Sequence, residues 1–579
     1  MAQTATALGN SGTVGAKRPG GSAAVSAPRP PWILNWWRDL LFFVGTPLLL
    51  LPLATVAQTR WTAQDIYLFV GAFGAMGHHL PGMIRAYGDR ALFARFRLRF
   101  VVAPLVLLTV CILCTIYGLK ALEVVAFTWG IWHGMMQTYG FCRIYDVKVA
   151  AGAVGRARAD FYFCFAWFVA VVVLSPMRLR SFLDFYYESG GLIVTEPVLQ
   201  ALRAAAVAAL ALVSAVFVWQ HFGDWRRGRG VSLVKLALLA SSISFWWYCN
   251  IGVANILVGI ALFEIFHDVQ YLTIVWSFNR NRVERDSSIG GFLRFVFRRS
   301  GALIGLYVGL VLAYGSIGLV AGGLSSELIR QVLLGCVTAS ALLHFYYDGF
   351  IWKVRERATR ESLGLDQAGG PADVAAARRS LAPWMLHGLR WAVLALPFAV
   401  LCAIQLSGRT LPLLERRARV AEVLPQDAQA QLNYGKALHE VGQLKEAMTR
   451  YESARKLNPT LDETEFFLGL AYSDLGEIDT AMGFYRRSLE LNPKNPDAEC
   501  NLAGLFNAKG KPGEARRHYE RSLELKPRQV LARKELADLQ TDNGEYDAAV
   551  ENYLAALKLK PDFAQARTGL ALARSMAKK

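Results

Sequence analysis

Charged residues are scarce in this sequence, and the scarcity is confined to its first 400 or so residues. Asp, Glu, Lys and Arg make up 19% of the 579 residues, whereas hydrophobic residues make up 54%. An average soluble protein carries about 25% charged residues, so this balance argues against a soluble enzyme. Long apolar runs dominate up to about residue 406, and beyond it the sequence becomes charged and periodic. We therefore predict a membrane-embedded part followed by a soluble part.

The sequence also lacks a disulfide framework and a nucleotide-phosphate loop. The eight cysteines lie mostly inside apolar runs, where packing is a commoner role than redox chemistry. The net charge of +18 comes mainly from Lys and Arg clusters between apolar runs. Such clusters are typical of the cytoplasmic loops of membrane proteins. We therefore expect no nucleic-acid partner.

The apolar runs supply eleven candidates for membrane helices, each of which needs about 20 mostly apolar residues. The predicted spans lie near residues 39–58, 65–85, 100–118, 122–142, 161–177, 198–219, 232–249, 252–277, 301–322, 329–351 and 390–407. The fold class is thus all-α, with a polytopic bundle over residues 39–407. A disordered N-terminal arm is predicted over 1–38, a linker over 408–426 and a repeat domain over 427–579.

The loops between the predicted spans alternate in charge. Those near 85–99, 143–160, 221–235, 278–300 and 353–389 are dense in Lys and Arg, and such loops stay in the cytoplasm. This asymmetry predicts a cytoplasmic N-terminus, and eleven crossings then place the C-terminal domain outside. We expect the chain to lie in a bacterial cytoplasmic membrane, in contact with membrane lipid.

The C-terminal part repeats every 34 residues from about residue 427 onward. A glycine, an alanine, a tyrosine and a proline recur in register in four units. They are Gly442, Gly476, Gly510 and Gly544; Ala447, Ala481, Ala515 and Ala549; Tyr451, Tyr485, Tyr519 and Tyr553; and Pro459, Pro493, Pro527 and Pro561. The pattern resembles the tetratricopeptide repeat (TPR), a pair of antiparallel helices with a glycine at the turn, a small alanine at the crossing and a closing proline.

This resemblance implies a solenoid of four repeats and a capping helix from Phe563 to Ala577. One helix pair cannot bury its apolar face alone, so neighbouring units stack and leave a concave groove. By the same resemblance, the groove holds a peptide or a helix of a partner protein. A rigid spacer without a ligand is the alternative.

Ionisable side chains inside the predicted spans indicate a second functional site. Such groups are costly in a bilayer, so they usually face the interior of a helix bundle and mark function. The candidates are His78, His79, His133, Glu264, His267, Asp268, His344 and Asp348. At ~1.5 Å per residue, the histidines of four spans lie at a similar depth, roughly 10–15 Å from the predicted cytoplasmic face.

Helical spacing places carboxylates beside two of these histidines. Glu264 and His267 share a helix face at i, i+3, the spacing of di-iron carboxylate bundles. His344 and Asp348 share a face at i, i+4. Imidazole and carboxylate ligands together suit iron, zinc or manganese, and an iron site suits oxygen chemistry. The sequence therefore predicts a metal centre, with iron as the expected cofactor and zinc or manganese as alternatives.

The histidine arrangement resembles membrane oxygenases and desaturases that hold iron near the cytosolic face, and the bacterial carotenoid-cleaving membrane dioxygenases. The paired-histidine boxes of the desaturases and the local motifs of the carotenoid enzymes are absent, so no catalytic residue carries over. The resemblance implies a metal-dependent enzyme, an oxygenase, that acts on a lipid-like substrate.

Two other functions stay open. If the histidines only hydrogen-bond across the bundle, the chain is a non-catalytic membrane scaffold or assembly factor whose TPR part is functional. Some membrane O-mannosyltransferases also end in TPRs, so a lipid-linked glycosyltransferase is the third alternative. Against it, the sequence has no acidic pair in the first outside loop and no large outside catalytic loop.

Overall fold

The computed structural model describes residues 31–149, 154–285, 291–297, 302–323, 326–351 and 383–578. Every regular element in these ranges is a helix, so the all-α prediction is confirmed. Most of the predicted N-terminal arm lies outside the described residues.

The part before the repeats contains fifteen α-helices in the described ranges, after a short turn at Trp36–Arg38. They are α1 Thr46–Arg60, α2 Ala63–Val70, α3 His79–Gly88, α4 Arg90–Ile116, α5 Ala121–Lys148, α6 Val154–Leu174, α7 Pro176–Glu188, α8 Glu196–Arg226, α9 Leu233–Trp247, α10 Ile256–Arg285, α11 Gly291–Phe297, α12 Ala302–Gly323, α13 Glu327–Ile351, α14 Pro383–Leu406 and α15 Leu413–Val423. Segments of π-helix lie at Asp39–Val44, Gly71–Met76 and Tyr248–Gly252.

Five of these helices are long and apolar enough to cross a membrane, counting only the described residues. They are α4, α8 and α13, together with Arg156–Leu174 of α6 and Ile256–Glu284 of α10. A sixth is added if Trp36–Val44 and Thr46–Arg60, bent by 47°, form one span. The other predicted spans coincide with shorter or interrupted helices, or with a long helix such as α5, which has 28 residues but is not among the five. The run 65–85, for example, is divided among α2, a π-helical segment and α3, so the count of eleven stays a prediction.

The π-helical segment Gly71–Met76 ends two residues before His78. A π-helical turn holds an extra residue, and such turns are frequent at functional sites. Helix α12 packs against this segment. The closest approach is at Gly315, where an added Cβ would overlap the carbonyl of Ala72. The extra residue therefore sets the direction in which His78 leaves its helix.

The C-terminal part consists of antiparallel helix pairs. The nine helices are α16 Ala428–Glu440, α17 Leu444–Leu457, α18 Asp462–Asp474, α19 Ile478–Leu491, α20 Pro496–Ala508, α21 Pro512–Leu525, α22 Val530–Asp542, α23 Tyr546–Leu559 and α24 Ala564–Met576. Gly442, Gly476, Gly510 and Gly544 have φ values of 79°, 76°, 68° and 78°. Only glycine adopts this left-handed conformation at low cost, which explains its place at each turn.

Ala481→Trp is expected to destabilise the repeats strongly. Ala481 is fully buried at a helix crossing, and overpacking such a site costs roughly 1–3 kcal/mol or more. The measurement is denaturant unfolding of residues 427–579, followed by circular dichroism. Thr480→Trp places the same side chain on the exposed neighbouring position and should change the free energy of unfolding little. Equal effects of the two substitutions would contradict the crossing geometry.

Helix α15 lies within the predicted linker and joins the bundle to the repeats. Its Val420 and Val423 are buried against Leu179 and Leu183 of α7. Three ion pairs surround this contact: Arg416 Nη1 to Glu188 Oε2 at 2.8 Å, Arg417 Nη1 to Asp184 Oδ1 at 2.6 Å, and Arg180 Nη1 to Asp427 Oδ1 at 2.5 Å. The linker is helical because one side of it is apolar and packs on α7.

Candidate metal centre

Four helices bring four histidines together inside the bundle. His78 precedes α3, His133 lies on α5, His267 on α10 and His344 on α13. Each side chain is buried, with relative exposures of 2%, 8%, 4% and 1%. One ligand atom of each residue lies within 4.8 Å of those of the other three. The structure thus brings together residues that are as many as 266 positions apart in the sequence.

One pair of ring nitrogens already has the spacing of two ligands to a common ion. His78 Nε2 and His344 Nε2 are 3.1 Å apart. Two nitrogens bound to one ion at about 2.0–2.1 Å are roughly 3.0–3.4 Å apart for ordinary angles. The rings of His133 and His267 have centroids 5.0 Å apart, and those of His133 and His344 are 4.8 Å apart. The four rings therefore surround one small volume.

Several of these nitrogens have no hydrogen-bond partner among the described residues. They are His133 Nε2, His267 Nε2 and His344 Nδ1, and each is buried. A buried polar atom left without a partner costs free energy, so most such atoms in native proteins are paired. Two Nε2 atoms without partners within the four-histidine group fit a bound metal ion, which would accept their lone pairs.

Asp268 orients His78. Its Oδ1 lies 2.6 Å from His78 Nδ1, while His78 Nε2 faces His344. A carboxylate in this position fixes the ring and its tautomer in many metal sites. Gly74 lies directly behind it, because an added Cβ would overlap Asp268 Oδ2. Asp268 therefore supports a ligand instead of joining the group of four.

The other predicted ligands surround this group. His79 Nδ1 lies 3.1 Å from Ser340 Oγ, and its ring stacks on His344 at 4.9 Å. Asp348 Oδ2 lies 3.6 Å from His344 Nε2. Glu264 is partly buried on α10, one turn before Asp268.

The sequence reasoning missed Tyr271. Its hydroxyl donates to Asp348 Oδ1 at 3.1 Å, and its ring lies 5.0 Å from that of His344. The i, i+3 spacing from Asp268 to Tyr271 was the available signal. Its partner Asp348 is on another helix, and spacing along one helix does not predict such a pair.

A second polar cluster lies in the bundle, away from the histidines. Lys235 of α9 is 1% exposed, and its Nζ lies 2.9 Å from Asp146 Oδ1, 3.1 Å from Asp160 Oδ2 and 2.9 Å from His221 Nε2. Arg143 Nη1 donates to Asp146 at 2.8 Å. The cations and carboxylates are balanced, and they tie together α5, α6, α8 and α9. His221 is also buried in this cluster.

Comparison with known proteins identifies the C-terminal helix pairs. The family model described as "Tetratricopeptide repeat" matches residues 466–495, and the one described as "TPR repeat" matches residues 537–576. The C-terminal helix pairs are tetratricopeptide repeats. The TPR prediction from the 34-residue period is therefore confirmed. No curated protein sequence matches the chain significantly.

Solved structures similar to the chain include further TPR proteins. YrrB, titled a TPR protein with an unusual peptide-binding site, is 20% identical over 28% of this chain and 85% of its own, with a TM-score of 0.26. MamA is 23% identical over 26% of this chain and 89% of its own, with a TM-score of 0.24. The first TPR of Spaghetti (RPAP3), bound to an HSP90 peptide, is 19% identical over 20% of this chain and 94% of its own, with a TM-score of 0.20.

Proposed function

We propose that this chain is a multi-pass membrane enzyme whose histidine centre holds a transition-metal ion and acts on a lipid-like substrate. Its TPR part would recruit a protein or peptide on the outer side. The observation that carries the proposal is the group of four buried histidines, one from each of four chain segments, with ligand atoms within 4.8 Å of one another.

The donor set narrows the choice of metal. The group of four contains imidazoles alone, and imidazole suits iron, zinc, copper and nickel, whereas manganese favours carboxylate and water. Iron and zinc therefore fit better than manganese. A bound iron ion would supply redox chemistry with oxygen, which the resemblance to membrane oxygenases also favours.

The surrounding residues have separate roles in this proposal. His78, His133, His267 and His344 hold the ion, and Asp268 keeps the proton on His78 Nδ1. Phe345 stacks on the His133 ring at 4.5 Å and excludes water from that side. Tyr271 and Asp348 present a hydroxyl and a carboxylate near His344, where they can bind or orient a polar group of the substrate. The apolar cores on either side of the centre favour a largely apolar substrate.

The TPR part supports the recruitment of a partner. Asn433, Asn501 and Lys534 lie on the first helices of their repeat units, the helices that line the concave face of a TPR solenoid. The proteins in two of the similar structures bind peptides, according to their titles. A peptide or a partner helix is therefore the ligand that we propose for this groove.

The test of the proposed function is the metal content of the purified, detergent-solubilised chain. We expect about one iron or zinc ion per chain, because the four histidines form a single group of ligands. A chain free of stoichiometric metal would overturn the enzyme proposal and favour the scaffold, in which the TPR part alone is functional.

Gly74→Ala is expected to weaken metal binding without removing a ligand. The new Cβ would displace Asp268 from His78, and losing such a supporting carboxylate costs roughly 10–100-fold in metal affinity. Gly71→Ala is the matched control, since it lies in the same π-helical segment and its Cβ would meet no atom within 4 Å. The measurement is competition with a chelator of known affinity. Equal affinities of the two variants would show that Asp268 does not support the site.

A further inference from the structure

The TPR solenoid touches the bundle along one edge. Each loop that leads from a second helix to the next first helix lies on the same edge, because the helix pairs are antiparallel and stack in register. Asp427, at the start of the first repeat, accepts two hydrogen bonds from Arg180 at 2.5 and 2.7 Å. In the loop between the second and third repeats, Lys494 Nζ donates to the carbonyls of Thr59 and Arg60, each at 3.3 Å.

These contacts bring the edge to the level of the membrane surface in the proposed topology. Thr59 and Arg60 are the last residues of α1, which ends the first predicted span on the outer side. Trp61 follows them and is 57% exposed, and tryptophan is enriched where a bilayer meets water. The loop that carries Lys494 therefore lies at the boundary between lipid and water.

Beyond Lys494 the same edge becomes basic. Lys526, Arg528, Lys558 and Lys560 are all exposed there, and we call these four residues the basic edge. Two further cations contact the loops 526–529 and 560–563. Arg533 Nε donates to the carbonyl of Pro527, and Arg567 Nε donates to that of Pro561, each at 3.0 Å.

Acidic residues offset part of this charge, and exposed Asp562 lies in the same loop as Lys560. Asp497 lies 3.7 Å from Lys526, and Glu524 is paired with Arg521. The segment from Lys526 to Lys534 contains no acidic residue. Residues 558–567 contain three cations and one acid, whereas the equivalent stretch of the first repeat, 456–465, contains one cation and three acids. Positive charge is therefore concentrated on the part of the edge that extends past the bundle contact at Lys494.

We propose that the basic edge binds the headgroups of anionic lipids in the outer leaflet beside the bundle. The inference rests on the proposed membrane location and adds a lipid-binding surface on the TPR part. Exposed Lys and Arg near an anionic bilayer are attracted to it within about a Debye length. The edge continues a surface that already contacts the outer end of α1, so these cations need no rearrangement to reach the lipid.

Hydrogen exchange of the full-length chain in nanodiscs tests this inference. One set of discs contains phosphatidylcholine alone, and the other contains phosphatidylcholine with phosphatidylglycerol. We expect the amides of residues 524–530 and 558–564 to exchange roughly threefold to tenfold more slowly in the anionic discs, since each cation near the surface contributes about a fivefold factor. In 1 M salt the Debye length falls to about 3 Å, and the difference should disappear.

Two triple variants carry equal charge changes on opposite edges of the solenoid. Lys526→Gln, Arg528→Gln and Lys560→Gln should together abolish the difference between the discs. Lys445→Gln, Lys509→Gln and Lys511→Gln should retain it, and each triple removes one surface ion pair. Equal exchange of the unmodified chain in both discs would overturn the inference, as would protection that survives the first triple. A chain that stays soluble without detergent and does not enter discs would overturn the membrane proposal itself, and the inference with it.

Discussion

Replacing His267 by alanine is expected to lower the metal content of the purified chain from about one ion to a small fraction of one. Losing a carboxylate that only supports a ligand costs roughly 10–100-fold in metal affinity. His267 contributes a ring nitrogen to the group of four itself, so its loss should cost more. His344→Ala should have a similar effect, because its Nε2 lies 3.1 Å from that of His78. The measurement is elemental analysis after dialysis against a weak chelator.

The control for these variants is His439→Ala. His439 lies on α16 in the first repeat, where it pairs with Asp474 at 2.7 Å, so its loss should leave the metal content unchanged. Size-exclusion profiles of all variants show whether the bundle remains folded. If the histidines are only structural contacts, no variant and no unmodified chain will hold stoichiometric metal. Full metal occupancy in a folded His267→Ala variant would place the ion elsewhere.

The second large effect is expected at Lys235. Lys235→Met keeps most of the side-chain volume and removes the charge, which leaves Asp146 and Asp160 buried without their main cation. Breaking a buried ion pair in this way costs roughly 3–5 kcal/mol. The measurement is the free energy of unfolding of the detergent-solubilised chain, titrated with a denaturing detergent.

Arg229→Ala is the matched control, at an ion pair with Asp224 of α8, three residues after His221. Arg229 Nη1 lies 3.3 Å from Asp224 Oδ1, but its side chain is 60% exposed, and exposed pairs contribute about 0–1 kcal/mol. Lys235→Met combined with Asp160→Asn should recover part of the lost stability, because one uncompensated charge is then removed. A loss at Lys235 no larger than that at Arg229 would contradict the buried network.

The repeats could be predicted from sequence because their pattern is local and periodic. A glycine with positive φ and a buried alanine recur every 34 residues, so each of the four units independently indicates the same helix pair. The helix α15 was harder to predict. Its apolar residues Val420 and Val423 become buried only through contact with α7, which is over 200 residues away in the chain.

The candidate metal centre could be predicted in part. Each histidine was identified because an ionisable residue inside an apolar run needs an explanation, and their common depth followed from counting residues. Which of these residues form the ligand group and which carboxylate supports it could not be predicted. Glu264 shares a helix face with His267 by spacing, yet the carboxylate of α10 that contacts a histidine is Asp268, and that histidine is His78 on another segment. Contacts between helices depend on rotation and packing, which one sequence does not specify.

The π-helical segment Gly71–Met76 makes the centre depend on chain length as well as on residue identity. The extra residue changes the rotation of everything that follows it, and in this register His78 Nε2 lies 3.1 Å from His344 Nε2 while the ring of His79 stacks on that of His344. A chain with one residue fewer in this segment would keep every histidine and still move His78 away from Asp268 and His344, because His79 would then occupy its place. In aligning distant relatives, a one-residue gap between positions 71 and 76 would therefore be as informative about the loss of the site as a substituted histidine.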